Sequence, residues 1–229
     1  QPLRDGAVEA AQRLARRPRP SAVALHQNPQ VSFELFPPAT PDGWAGFVDT
    51  VDRLDHLGGA FMSVTYGAGG TSQARTLQAL QAMTACCVTP VAGHLTCAGA
   101  TRDDVMAVVD TYAEAKVKHI VALRGDPPKG HTAFEPHPDG FASAAELVGA
   151  IARRSHFDIS VAAYPEVHPE ARSSADDLDN LKRKIDAGAR NAITQFFFEP
   201  DTFLRFRDRA SAAGIHAPII PGILPVVNL

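Results

Sequence analysis

Cysteine is scarce in this chain, with Cys86, Cys87 and Cys97 the only three among 229 residues. A sparse, odd set argues against a disulfide framework and for a reducing compartment, so a cytoplasmic setting is expected. The two adjacent cysteines lack zinc-ligand spacing, and the nine histidines form neither HxxxH nor HExxH. Buried thiols and no metal site are therefore expected. Basic charge is not in surplus: 22 Lys and Arg stand against 25 Asp and Glu, for a net charge of −3. Nothing here compensates a phosphate backbone, so nucleic acid is not an expected partner. No apolar run approaches the ~20 residues that span a bilayer, so no membrane is expected either. The opening stretch QPLRDGAVEAAQRLARRPRP has four arginines between 13 and 19 but no apolar core. It reads as a polar amphipathic helix over about 5–17 rather than a secretory signal. Gly-Ser linkers and composition breaks are also lacking, so residues 1–229 are expected to form one domain.

What the chain does have is a repeated alternation. Short β-branched and aromatic runs occur at 31–36, 61–66, 90–97, 119–125, 158–164, 192–198 and 219–225. Helical patterns lie between them, near 43–57, 71–86, 101–116, 141–154, 174–187 and 201–213. Thr101 and Ser174 stand where helices should begin, and Gly188 and Gly214 where they should end. Unbroken βα alternation means a parallel sheet, either doubly wound or closed as a (β/α)8 TIM barrel. Seven strands are visible, so either the eighth βα unit of a barrel is missing from this chain, as expected, or the sheet is open.

The strand VSFELF carries Glu34 among apolar residues. Glutamate is a poor strand former and is rarely buried unpaired. The other runs also turn polar towards their C-terminal ends: Thr65 and Tyr66, His94 and Thr96, Arg124 and Asp126, Tyr164, Gln195. Any one of these could be a satisfied core group. Six strands sharing the pattern point to the C-terminal edge, where a parallel barrel gathers its catalytic groups. The loops after these strands agree. GDPPKGHTAFEPHPDG at 125–140 is longer than an ordinary βα loop and holds four prolines, as a lid or binding loop would. YPEVHPEARS stiffens the backbone around Tyr164, Glu166 and His168. YGAGGTS either turns backbone N–H groups towards an anion or is a plain flexible turn. On the helical stretch DDLDNLKRKIDAGA, Asp179 and Arg183 are i,i+4. Asp177, Asn180 and Lys184 there form either a solvated face or a polar stripe able to hold a ribose or diphosphate.

Taken in order, VSFELFPP, SVTYGAGG, GHLTC, ALRGDPP, AAYPEVHPEA, LKRKIDAGA, ITQFFF and PGILPV resemble the flavin-dependent methylenetetrahydrofolate reductases of bacteria. The resemblance runs from about residue 31 to the C-terminus. It implies a TIM barrel with FAD at the C-terminal strand edge and reduction of 5,10-methylenetetrahydrofolate to 5-methyltetrahydrofolate by NADH or NADPH. The two substrates would take turns at the flavin in a ping-pong sequence that supplies methyl groups for methionine synthesis. A homo-oligomer is also implied. The competing expectation is a folate- or nucleotide-binding barrel of the methyltransferase type, without flavin turnover.

Position by position, Glu34 matches the family's general acid, which needs a raised pKa; Phe33, Leu35 and Phe36 are expected to supply an apolar setting. Asp126 matches an aspartate that holds the pterin and stabilises a cationic intermediate, with Arg124 expected beside it. Gln195 matches an amide that serves both folate and nicotinamide. Thr65 is implied in substrate binding as well. The FAD positions implied are Thr65, Tyr66, Ala68, His94, Arg124, Gly125, Asp126, Phe141, Ala142, Tyr164, His168, Asp177, Asn180, Arg183 and Lys184. The family pattern continues beyond the point where this chain ends at PVVNL, so an incomplete C-terminal part is expected rather than an open barrel. The insert at 129–139 has no implied role.

Overall fold

The computed structural model describes residues 29–66, 73–127, 134–154 and 157–225. Strands and helices alternate throughout: β1 (Phe33–Leu35), α1 (Gly43–Asp55), β2 (Met62–Val64), α2 (Gln73–Cys86), β3 (Val91–Thr96), α3 (Arg102–Glu114), β4 (His119–Leu123), α4 (Ala144–Arg154), β5 (Asp158–Ala163), α5 (Ser174–Asp186), β6 (Asn191–Thr194), α6 (Pro200–Ala212) and β7 (Ile219–Ile220). The strands follow chain order in one seven-stranded sheet, and the resolved pairings β1–β2, β2–β3, β5–β6 and β6–β7 are parallel. By its contacts the chain falls into two compact units, residues 1–95 with 106–120, and residues 96–105 with 121–229.

In the first unit, β1, β2 and β3 lie level: Glu34 pairs with Ser63 and Ser63 with Ala92, while Leu35 pairs with Val64 and Val64 with Gly93. Met62, Val64, Ala92 and Leu95 are fully covered, as strands of a parallel sheet with layers on both faces must be. The helix α1 contributes Trp44, Phe47 and Val51, one buried stripe at i, i+3 and i+7. Each such side chain stabilises the fold by about 1.5–3 kcal/mol when fully covered. The Asp55 carboxylate accepts hydrogen bonds from the backbone N–H groups of Val88 and Thr89, at 3.1 and 2.8 Å, and so ties the end of α1 to the segment entering β3. Gly93 has no room for a side chain, because a Cβ there would meet the Tyr112 ring at 2.5 Å.

In the second unit, Ile159, Val161 and Ala163 of β5 are buried, as are Leu147, Val148 and Ile151 of α4 and Leu181 of α5, and both helices lie against β5. The partners of β5 in β6 run from Ser160 with Asn191 to Ala163 with Thr194. Thr101 Oγ1 accepts from Asp104 N at 3.1 Å and opens α3 as expected. For α5 the cap is Ser173, whose hydroxyl accepts from Asp176 N, and not Ser174, which is the first helical residue. The sequence offers two serines in a row, and the extended backbone of Ser173 (φ −160°) is the one that fits an N-cap. Gly188 and Gly214 follow α5 and α6 with φ of +126° and +78°, the conformation that ends a helix most easily in glycine.

Several boundaries contract. The first strand is three residues rather than 31–36, and the last is Ile219–Ile220 rather than 219–225, where Pro221, Gly222 and Pro225 remove donors or pairing geometry. Helix α4 begins at Ala144, so Phe141 and Ala142 belong to the loop before it. Cys86 and Cys97 are buried, but Cys87 is partly exposed, against the expectation of three buried thiols. The expected helix at 5–17, Ala68 and most of the YGAGGTS stretch lie outside the described residues.

Candidate active site

Period-two geometry decides what Glu34 can reach. Leu35 is buried, whereas Glu34 lies on the opposite face of β1, level with Ser63. Apolar shielding therefore does not come from Phe33, Leu35 and Phe36 as expected; Phe36 is exposed. The neighbours are His94, whose Nε2 lies 3.5 Å from Glu34 Oε2, and Ser63, whose Oγ lies 3.3 Å from the same nitrogen. Partial loss of solvent raises the Glu34 pKa above the ordinary carboxylate range. The side chain is still 55% exposed, so the push is a modest one. His94 is buried, and burial first, then the nearby His119, lowers its pKa to about 4. At neutral pH the contact is thus between a carboxyl and an uncharged imidazole, not an ion pair. The backbone behind it is fixed, for the Tyr112 hydroxyl donates to the His94 carbonyl at 2.9 Å. Thr65 continues β2 with its N–H on Leu35 O, and Thr76 Oγ1 donates to the Thr65 carbonyl. Tyr66 is half-buried, and burial raises its pKa.

The second unit holds the cations. Arg124 follows β4, and its guanidinium does not turn to Asp126. It forms a two-pronged pair with Glu170, at 2.7 and 3.0 Å, and lies over the Phe134 ring at 4.5 Å from its centroid. The planar fork meets both oxygens of the Glu170 carboxylate, a bidentate geometry that makes the pair a strong one. Hydrogen bonding to Arg124 keeps the Glu170 carboxyl below its usual range. Gly125 has φ +90°, and a Cβ there would meet Ala98 and Thr96 at 2.8 and 3.0 Å; only glycine lets the chain turn here. Asp126 is exposed.

Lys184 is the most unusual group. It is 5% exposed, and its ammonium donates to the Ala162 carbonyl at 2.6 Å. Burial lowers its pKa to about 8, against a raising influence from Asp177. Asp177 itself accepts from the His168 backbone N–H at 3.0 Å. The Tyr164 ring meets the His168 ring edge-on at 4.6 Å, and burial raises the Tyr164 pKa. Between them, Val167 adopts φ +71°, a costly conformation for a β-branched residue, held by Val167 N on Tyr164 O and Ala171 N on His168 O. Asp177, Asn180 and Lys184 do share a helix face, with Lys184 inside the fold rather than in solvent; Arg183 is exposed. Phe141 is buried beneath Arg102, and the Ala142 N–H points to Glu146 at 3.4 Å. The Gln195 side-chain oxygen accepts from Phe196 N at 3.1 Å, and its backbone N–H bonds Ala163 O.

Ser63, Glu170 and Phe134 were not singled out by the sequence reading. Ser63 carried a signal that could have been used, being one residue before Val64 and on the face opposite it. Glu170 lies 46 residues from Arg124, and nothing local marks the pairing.

Residues 20–229 match the family model for methylenetetrahydrofolate reductase. The chain belongs to the methylenetetrahydrofolate reductase family. It is 50% identical over 198 residues to the 5,10-methylenetetrahydrofolate reductase of Salmonella typhimurium, covering 86% of this chain and 65% of the relative. The enzyme of that name from Escherichia coli K12 is 49% identical over the same coverage. A plant relative, methylenetetrahydrofolate reductase (NADH) 1 of Arabidopsis thaliana, is 38% identical over 86% of this chain and 35% of its own length. The chain thus spans 65% of the length of the Salmonella and E. coli reductases. Among solved structures it is similar to a phosphonopyruvate hydrolase bound to oxalate and Mg++, with TM-score 0.56 at 14% identity over 96% of this chain and 81% of that one. It is also similar to a phosphoenolpyruvate phosphomutase from Streptomyces platensis subsp. rosaceus, with TM-score 0.53 at 14% identity over 94% and 80%. At that identity the likeness concerns the parallel α/β fold alone.

Proposed function

We propose that the protein reduces 5,10-methylenetetrahydrofolate to 5-methyltetrahydrofolate with NADH or NADPH, using FAD, in the cytoplasm, on a (β/α)8 barrel. Family membership at 50% identity over most of the chain carries this reading. Seven strands in chain order with parallel pairing support the barrel.

The second unit suits a diphosphate-bearing cofactor. Lys184 and Arg124 supply positive charge for phosphate oxygens, with the Lys184 ammonium steadied by Ala162 O and the Arg124 fork by Glu170, which a phosphate would have to displace. Tyr164, His168, Asp177 and Asn180 are groups for hydroxyls, and Gly125 permits close backbone approach. Thr65, Tyr66, Ala68, His94, Asp126, Phe141, Ala142 and Arg183 complete the proposed set. FAD, when bound, relays hydride from the nicotinamide to the folate.

The chain's own chemistry is the proton. Glu34 would donate it to N10 of the folate, so that the bond from N10 to the bridging carbon breaks and an electrophilic iminium forms at N5. A raised pKa favours the protonated carboxyl that this task needs. Asp126 would hold the pterin N–H groups and place negative charge near the cation. The Gln195 amide, able to donate and accept, would contact folate and nicotinamide in turn, with Thr65 assisting. The test is absorbance near 450 nm of the complete purified protein, followed by rapid mixing with NADH, NADPH and the folate separately. Flavin bleaching by a pyridine nucleotide and recovery of colour with the folate are expected. A colourless protein that binds folate without reducing it would overturn the reading.

A further inference from the structure

Ser63 is a fully enclosed hydroxyl, 3% exposed, in a strand otherwise made of Met62 and Val64. A buried hydroxyl is costly unless it is used. Its position is not incidental, since it is the register partner of Glu34, and its Oγ faces His94 Nε2 at 3.3 Å. That nitrogen also faces Glu34 Oε2 at 3.5 Å. One ring nitrogen is therefore shared between a hydroxyl and a carboxyl. The backbone that carries the ring is fixed, because the His94 carbonyl is bound by the Tyr112 hydroxyl and Gly93 leaves no room beside the Tyr112 ring.

We propose that Ser63 is a positioning residue that acts through His94 on Glu34: its hydroxyl occupies Nε2, limits how strongly the imidazole holds the Glu34 carboxylate, and so sets the pH at which that acid delivers its proton. The proposal rests on the role given to Glu34 above. With the imidazole proton on Nε2, the tautomer that a facing carboxylate oxygen favours, the sign follows from the choices open to one N–H. A donor aimed wholly at Glu34 stabilises the ionised carboxylate and lowers its pKa. A donor engaged by Ser63 leaves the carboxyl nearer to its acid form. Among the described residues, His119 is the other charged influence on the ring: it lowers the His94 pKa further and so keeps the imidazole uncharged. His119 in β4 lies edge-on to Phe61 at 4.4 Å. Tyr112 in α3 and Tyr66 beyond β2 both have phenol pKa values raised by burial, and both are neutral.

The test compares Ser63→Ala, Ser63→Thr and wild type in the complete FAD-loaded protein. Glu34 is titrated directly by 13C NMR of labelled carboxyls, assigned with Glu34→Gln. The folate half-reaction is followed against pH in parallel. In Ser63→Ala the Glu34 titration is expected to fall by about one pH unit, and the acid-dependent limb of the folate half-reaction with it, for about a tenfold loss near neutrality. Ser63→Thr, which keeps the hydroxyl, restores both. A Glu34 titration unchanged in Ser63→Ala, or a uniform loss in both half-reactions with no change in the pH profile, overturns the proposal. Should Ser63→Ala fold poorly, Ser63→Cys offers the same volume with a weaker hydrogen bond and is expected to shift Glu34 in the same direction; no shift there also overturns it. The two readings fail separately: a shifted Glu34 titration in a protein that never reduces the folate removes the reductase assignment and leaves the Ser63–His94–Glu34 coupling standing.

Discussion

The ends of β1 to β3 and the ends of β4 to β6 handle polar groups in opposite ways. Around Glu34 the partners are uncharged: a buried imidazole with its pKa lowered to about 4 and a serine hydroxyl. Around Arg124 and Lys184 charge is met by charge or by a carbonyl, through Glu170, Asp177 and Ala162 O. The first arrangement favours the protonated carboxyl, since loss of solvent raises the Glu34 pKa and, among the described residues, no cation holds the ionised form. The second holds fixed positive charge in place. The proposed proton donor and the proposed anion cradle call for these two different environments.

The largest effect is expected from removing the proton. Glu34→Gln keeps the side chain's volume and should lower folate reduction by about 10²–10⁴-fold while flavin reduction by NAD(P)H persists. Stopped-flow on each half-reaction checks this, and normal folate turnover would remove Glu34 from the chemistry. Next comes the buried cation. Lys184→Met keeps the stem and deletes the charge, and FAD is expected to bind about a hundredfold more weakly by fluorescence titration. Lys184 also makes a pH statement. Its pKa in the folded protein, about 8, lies below its ordinary 10.5, so between these values the unfolded chain binds more protons. The apo protein should therefore gain stability as pH rises through that window, and Lys184→Met should flatten the rise in denaturant midpoints.

Third, Gly93→Ala drives a methyl into the Tyr112 ring and should cost about 1–3 kcal/mol, seen as a lowered melting temperature, with His94 displaced. The smallest effect belongs to Glu170→Gln. The pair with Arg124 is partly exposed, so FAD affinity should fall by no more than about fivefold. A loss as large as that of Lys184→Met would mean that the fork geometry, rather than the buried charge, dominates the cradle.

Local pattern carried the sequence reading a long way and then stopped. The alternation of strands and helices was legible because parallel strands are apolar runs and helices carry their own start and stop residues, as Thr101 and Gly188 show. Polar strand ends such as Glu34 and His94 stood out against those runs. What the sequence did not show were partners distant along the chain. Arg124 looked bound to the nearby Asp126, whereas its fork is filled by Glu170 from the loop after β5. Lys184 resembled a surface lysine on a mixed-charge helix, and only the packing of α5 on β5 puts it inside. Ser63 was hidden for the opposite reason: a small hydroxyl in an apolar strand disturbs no pattern, and its importance comes from lying level with Glu34 on the neighbouring strand.

The twist at Val167 has a consequence for recognition. A glycine would adopt φ +71° with little strain, but it would also wander through many other backbone shapes before a ligand arrived. Valine, once forced into that shape by the bonds on either side, has almost nowhere else to go. The imidazole of His168 is thereby held in place, and for the cofactor proposed to bind there the ordering cost would already be settled when the chain folds.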